Sequence, residues 1–337
     1  MQFKRIAVDT SKATFTVHGV DADDRPTLKQ NLSRMQFEVF CRKLAPTEFV
    51  LEACGGSHHW GRLLQGFGHV VRLIPPQYVK PFVKRGKNDR NDAAAISEAA
   101  SRPDMRSVPV KSLASQAEAI DLSVRDLLIR QRTQLVNAMR GHAAEFGIIA
   151  ARGIAQVGPL LEKIAGSEIP EAAKDALAQL GQCIDDLDVH RAAVDQRLTL
   201  RHKASSVSQR LAAVPGVGPI TALTLTMKVD PSQFTSARHF AAWLGLTPKE
   251  HSTGGRQRLG GISRAGNERL RQLLVLGATA VIRHAKPESK TPNPWLLKLL
   301  ERRPRKLAAV ALANKMARIL WAMMANNTAY RRTPQAA

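Results

Sequence analysis

Four acids in an otherwise basic chain have the spacing of a metal centre: Asp9, Glu52, Asp89 and Asp92. Asp9 closes an apolar run, RIAVD, and Glu52 closes another, EFVLE, so each falls near the end of an expected β-strand. In α/β sheets, functional groups gather outside strand ends, where acids on different strands can face a common point. Asp89 and Asp92 lie three residues apart where an Ala-rich helix is expected to begin, a spacing that points both to one side. Four carboxylates brought together repel unless cations neutralise them, and hard oxygen ligands select Mg2+ or Mn2+. A pair of such ions polarises a phosphate and stabilises the attacking and leaving oxygens. Taken singly, each acid has a plainer use, as a turn residue or a helix cap.

The elements that must position these acids alternate in type. KRIAVDT, TFTVHGV, TLKQNL, EFVLEAC and HVVRLIP have strand character, with helices expected over Met35–Leu44, around Trp60–Leu64 and near Val79–Val83. The basic loop KRGKNDRND then leads into the helix AAAISEAAS. Such alternation predicts a mainly parallel or mixed sheet flanked by helices. From Ser112 to His142 the apolar period lengthens to three and four residues (Leu113, Ala117, Ile120, Val124, Leu127), which predicts a long amphipathic helix. The stretch Glu171–Leu200 can fold back on it. Heptads mark helix association without naming the partner, so a bundle within one chain and a coiled coil between protomers both fit. Beyond Ser208, LAAVPGVGPITALTL reads as two helices around a tight turn. HSTGGRQRLGGISRAGN reads as a Gly-rich loop, HAKPESKTPNPW as a Pro-rich one, and the stretch from Arg302 as an amphipathic helix. The fold class expected is α/β plus α.

Charge points to the partner. Fifty Lys and Arg against 28 Asp and Glu give a net charge of +22, the footprint of a protein that neutralises phosphates. Aromatics are only 5%, too few for a reader that stacks many single-stranded bases. Lys84, Arg85, Lys87 and Arg90 surround the second acid pair, and Arg256, Arg258, Arg264 and Arg269 flank the Gly-rich loop, where they are candidate phosphate contacts. Gly216 and Gly218 of the PGVG turn would let backbone amides approach a phosphate, as in a helix-hairpin-helix; an ordinary interhelix turn fits equally. His58 and His59 follow two glycines, but such histidines more often cap or pack a helix. Three scattered cysteines form no CxxC pair, which fits a reducing cytoplasm and argues against a zinc site. No signal-peptide region opens the chain, and no apolar run approaches the ~20 residues of a membrane span, so the expected location is the cytoplasm, with the nucleoid.

The segments AVDTSK, VLEACGG and KNDRNDAAAIS resemble, in order and spacing, the acidic motifs of DEDD insertion-sequence transposases of the insertion sequence 110 family. HSTGGRQRLGGISRAGN is similar to that of its 1111 subgroup, and MRGHAAEFG, PGVGPITA and ALANKMARILWA extend the likeness over nearly the whole chain. The resemblance implies an RNase-H-like (RuvC-like) DEDD domain over residues 1–106. It further implies a helical coiled-coil, dimerisation segment over 107–205, and a mainly helical C-terminal transposase domain over 206–337 that carries a serine nucleophile. It also implies a recombinase guided by a structured noncoding RNA that pairs with donor and target DNA, acting as a homo-oligomer, dimer or tetramer. The nucleophile is expected in HSTGG: residue type selects Ser252, whereas counting from Gly245 selects Thr253. Ser252, the less hindered primary hydroxyl, is taken as the catalytic residue beside the four acids, with Thr253 as the alternative. A junction-resolving metal nuclease that uses water, and a non-catalytic nucleic-acid scaffold whose acids are caps, are the competing readings.

Overall fold

A computed structural model describes residues 3–84, 89–286 and 293–331. It divides into two compact units, residues 1–116 and 117–337.

The first unit is built on a five-stranded mixed sheet. β1 (Arg5–Thr10), β2 (Thr14–Val20) and β3 (Pro26–Ser33) form an antiparallel meander, and α1 (Arg34–Lys43) follows at once. Ser33 and Gln36 close a reciprocal capping box at the start of α1, which fixes the point where strand gives way to helix. β4 (Glu48–Glu52), α2 (Ser57–Gly66) and β5 (Val70–Ile74) complete the sheet in the order β3-β2-β1-β4-β5, with β4 and β5 parallel to β1. A single turn, α3 (Pro76–Val79), precedes α4 (Asp89–Ala100).

Alternation along the strands sorts their side chains onto two cores. Ile6, Val8, Phe49, Leu51 and Leu73 face α1 and α2 in a core that holds Phe15, Phe37 and Trp60 in mutual ring contact. Ala7, Val50 and Ile74 face the other way, toward Ala95, Ile96 and Ala99 of α4. The small residues on both sides let α4 lie close on the sheet. Gly61 of α2 is equally constrained, since a Cβ there would meet Val110 at 2.9 Å.

The second unit is helical. α5 (Leu113–Glu145) begins just before it and runs through its first part; α6 (Val157–Ala165) and α7 (Glu171–Ala204) follow. Within this unit α5 and α7 run antiparallel, as the ion pairs Arg125–Asp195 and Arg132–Asp188 and the Arg197–Asp121 contact show by their opposed numbering. α8 (Ser206–Ala212) and α9 (Pro219–Lys228) form a helical hairpin around the PGVG turn, and α10 (Ala237–Trp243) leads to a two-stranded ribbon, β6 (Pro248–Glu250) and β7 (Leu259–Ile262). α11 (Glu268–Arg283), α12 (Pro294–Arg302) and α13 (Arg305–Ala325) close the unit.

Two expectations are corrected here. The segment expected as a Gly-rich loop is a β-hairpin over much of its length, because residues 251–258 turn tightly enough to pair its flanks. The helix expected near Val79–Val83 is the single turn α3 with one 3-10 turn after it, cut short by Pro81. α13 is long and apolar enough, by length and composition, to cross a membrane, because alanine counts as apolar. Its Ala308, Leu312, Ala313, Met316 and Leu320 instead form the main core of this unit with α10 and α11.

Candidate metal centre and serine hairpin

Val8 and Leu51 are paired across the parallel β1–β4 ladder. Asp9 and Glu52 come one residue later on each strand, so alternation puts both on the face of Ala7 and Val50, the face α4 covers. On α4, Asp89, Asp92, Ile96 and Ala99 follow one another at steps of three and four, which makes a single stripe. Its lower part is buried on the sheet, and its first turn carries the two acids to the strand ends. One carboxylate oxygen from each of Asp9, Asp89 and Asp92 lies within 4.8 Å of the others. Glu52 stands outside this tight group, yet it shares the field of Asp9 and Asp92.

The electrostatics follow from this crowding. Burial, then the carboxylates of Asp92 and Asp89, raise the Asp9 pKa above its ordinary value, against the opposing pull of the Thr10 amide. Burial, then Asp9 and Asp92, raise that of Glu52. The crowding that raises Asp9 and Glu52 is what a divalent cation relieves, and the donor set is all hard oxygen. The residues therefore fit a divalent metal. Beside Asp9 in register is the buried Thr16, whose hydroxyl donates to Asn31 Oδ1 at 3.1 Å. His58 is turned away from acid–base work: its Nδ1 accepts the Lys111 amide at 3.2 Å, and burial, Lys111 and Arg62 lower its pKa.

In the second unit, Ser252 sits on the hairpin between β6 and β7. Thr253 and Arg256 bridge across Gly254 and Gly255, whose φ values of 55° and 76° suit glycine and close the turn. The Ser252 hydroxyl donates to Glu250 Oε1 at 2.8 Å and accepts from the Arg258 amide at 3.2 Å. Its residues are exposed from His251 to Gly261. The feet of the hairpin are held by Arg271 of α11, a mostly buried residue whose guanidinium donates to Leu244 O at 3.0 Å and Ala265 O at 2.6 Å. Neither Glu250 nor Arg271 was singled out by sequence. Glu250 carried the signal of an acid two residues from the serine, but Arg271 reads as one more surface arginine.

The other candidates are dispersed. Lys84 and Arg90 are exposed; Arg85 and Lys87 lie outside the described residues. Arg256, Arg258 and Arg264 are exposed around the hairpin, whereas Arg269 is engaged with Asp126 at 2.6 Å. Gly216 has a packing use: its φ is 86°, and a Cβ would meet Gly277 O of α11 at 2.7 Å. Gly218 is the exposed N-cap of α9, with open space where a Cβ would go.

A sheet with acids gathered at its strand ends, a helical unit carrying an exposed hairpin and a net charge of +22 are features that suit an enzyme acting on DNA. Residues 6–147 match the family model of DEDD transposases, and residues 208–292 match that of the transposase IS116/IS110/IS902 family. The chain is 52% identical to the y4pF/y4sB protein of Sinorhizobium fredii over 98% of this chain and 86% of that protein. It is 40% identical to the transposase for insertion sequence element IS1111A of Coxiella burnetii, over 97% of this chain and 91% of that one. A more distant relative, 26% identical over 69% of this chain and 66% of its own length, is the pilin gene-inverting protein of Moraxella bovis. The chain belongs to the IS110 family of insertion-sequence transposases.

Proposed function

We propose that this transposase cuts and rejoins DNA by means of divalent ions, Mg2+ or Mn2+, held by Asp9, Glu52, Asp89 and Asp92, with Ser252 as nucleophile. The convergence of Asp9, Asp89 and Asp92 oxygens within 4.8 Å carries the reading. The sheet order and the placement of α4 over the acid-bearing strand ends support an RNase-H-like domain. When bound, the ion supplies charge neutralisation for a phosphodiester and its leaving oxygen.

The chain's own residues do the rest. Ser252 Oγ attacks phosphorus and the P–O bond to the leaving DNA strand breaks; that strand departs as an alkoxide and takes a proton from water. The proton of Ser252 passes to Glu250, which already accepts its hydrogen bond. The phosphoserine ester conserves the bond energy, so a second DNA hydroxyl, giving up its proton to water, can displace Ser252 and rejoin the strand, with Glu250 returning the proton to Ser252. Rejoining is in keeping with the relative that inverts a gene, because inversion must reseal what it cuts. We further propose a structured noncoding RNA as the source of sequence choice, and action as a dimer or tetramer.

One observation favours the water-using nuclease. The Ser252 hydroxyl also accepts the Arg258 amide across its own hairpin, which a merely structural serine would do. Incubating full-length protein, flanking noncoding RNA and paired DNA sites with Mg2+ separates the two on a denaturing gel. Ser252→Ala should abolish a covalent protein–DNA species that Thr253→Ala retains. Cutting by Ser252→Ala at the wild-type rate, with no adduct in either protein, would leave the nuclease standing.

A further inference from the structure

β7 contains Gly260 and Gly261 in succession. Glycine weakens a strand, since it loses the most freedom on folding and offers no side chain to pack. Neither glycine needs its freedom here. Neither has positive φ; a Cβ on Gly261 would meet nothing within 4 Å, and one on Gly260 would make only ordinary contacts, the nearest at 3.7 Å. The pair stands where β7 carries one residue more than β6, between the pairs Pro248–Ile262 and Glu250–Leu259; glycine commonly marks such a bulge, and the bare backbone it leaves also admits the close approach of another group.

Both glycines line an open cleft of about 810 Å³ within the second unit, closed opposite by α12 and α13. Its walls are largely apolar, and Trp295 offers an indole over which Lys315 Nζ sits 4.3 Å from the ring centroid. Asn314 donates its Nδ2 to Leu246 O at 3.2 Å, which leaves its amide oxygen as an acceptor. Arg318 is exposed at the rim, and no carboxylate lines the cleft. Among the described residues, neither Lys315 nor Arg318 forms an ion pair. A flat apolar wall with an aromatic ring, one oriented amide and two cations are the parts that hold a base and its phosphate. A protein helix would use the walls but leaves the two cations without a purpose.

We propose that this cleft seats one unstacked nucleotide of the DNA strand beside the Ser252 hairpin, its base against Trp295 and over Gly260 and Gly261, its phosphate on Lys315 and Arg318. The inference rests on DNA as the family's substrate and not on serine attack. Element-end DNA carrying 5-iododeoxyuridine at successive positions, irradiated with the full-length protein, tests it. One position should cross-link to the peptide containing Trp295. Gly261→Val, and separately Lys315→Ala with Arg318→Ala, should each cut that yield at least about fivefold while thermal melting stays near wild type. Ser252→Ala should keep the cross-link, so failure of the serine chemistry is told apart from failure of the cleft. Absence of any cross-link at Trp295, or an undiminished yield in both variants, would overturn the proposal. So would a change in self-association by Gly261→Val measured without DNA, which would assign the cleft to a second copy.

Discussion

At the residue scale, the cluster of Asp9, Glu52, Asp89 and Asp92 sets its own pH dependence. Asp9 and Glu52 hold protons in the folded chain to higher pH than their ordinary values of 3.8 and 4.5. Groups raised in this way support the fold below their unfolded values, and that support is lost as pH rises through the raised folded ones. Metal-free wild type should therefore lose stability relative to Asp9→Asn across the weakly acidic range, as differential melting at a series of pH values will show. Mg2+ at a hundred times its dissociation constant should restore about 2.7 kcal/mol to wild type and none to Asp9→Asn. Glu250→Gln should slow formation of the Ser252 adduct by about 10²- to 10⁴-fold in single-turnover assays, because the proton acceptor is lost while the hairpin remains. An unchanged rate would give Glu250 a purely structural place.

At the element scale, backbone approach decides what is tolerated. Gly277 of α11 packs against the PGVG turn so closely that a Cβ would meet Gly216 O at 1.9 Å, whereas one at Gly218 would meet nothing. Gly277→Ala should thus cost about 1–3 kcal/mol in denaturant unfolding, and Gly218→Ala under about 1 kcal/mol. Ala99→Leu, under α4, should likewise cost about 1–3 kcal/mol by lifting the helix from Ala7 and Val50. Those two elements also show what the sequence could disclose. The strands ending at Asp9 and Glu52, and the Asp89–Asp92 stripe above Ile96 and Ala99, announce themselves because apolar runs and period fix which face is buried. The hairpin of Ser252 was not legible, because Gly254, Gly255, Gly260 and Gly261 give a loop-like composition to strands defined by long-range pairing. The burial of Arg271 is equally silent in sequence: nothing local separates a guanidinium that donates to two carbonyls from one in water.

At the scale of the whole molecule, a net charge of +22 dominates encounter with DNA. If six to ten phosphates are contacted, affinity for any duplex should fall by about 10³- to 10⁵-fold between 50 and 200 mM salt, a slope that fluorescence anisotropy measures directly. This charge draws DNA in without choosing a sequence, which is why a separate guide is proposed. The acids work against that same field, since a negative cluster on a basic surface repels phosphate until a cation occupies it. Metal and DNA should consequently bind with positive coupling. The most direct test of the account is Mn2+ binding followed by electron paramagnetic resonance, with DNA cleavage measured on the same samples. Wild type should bind Mn2+ and cut, and the pair Asp9→Asn with Asp92→Asn should do neither while still melting in one cooperative transition. Mn2+ binding and cleavage that survive both substitutions would contradict it.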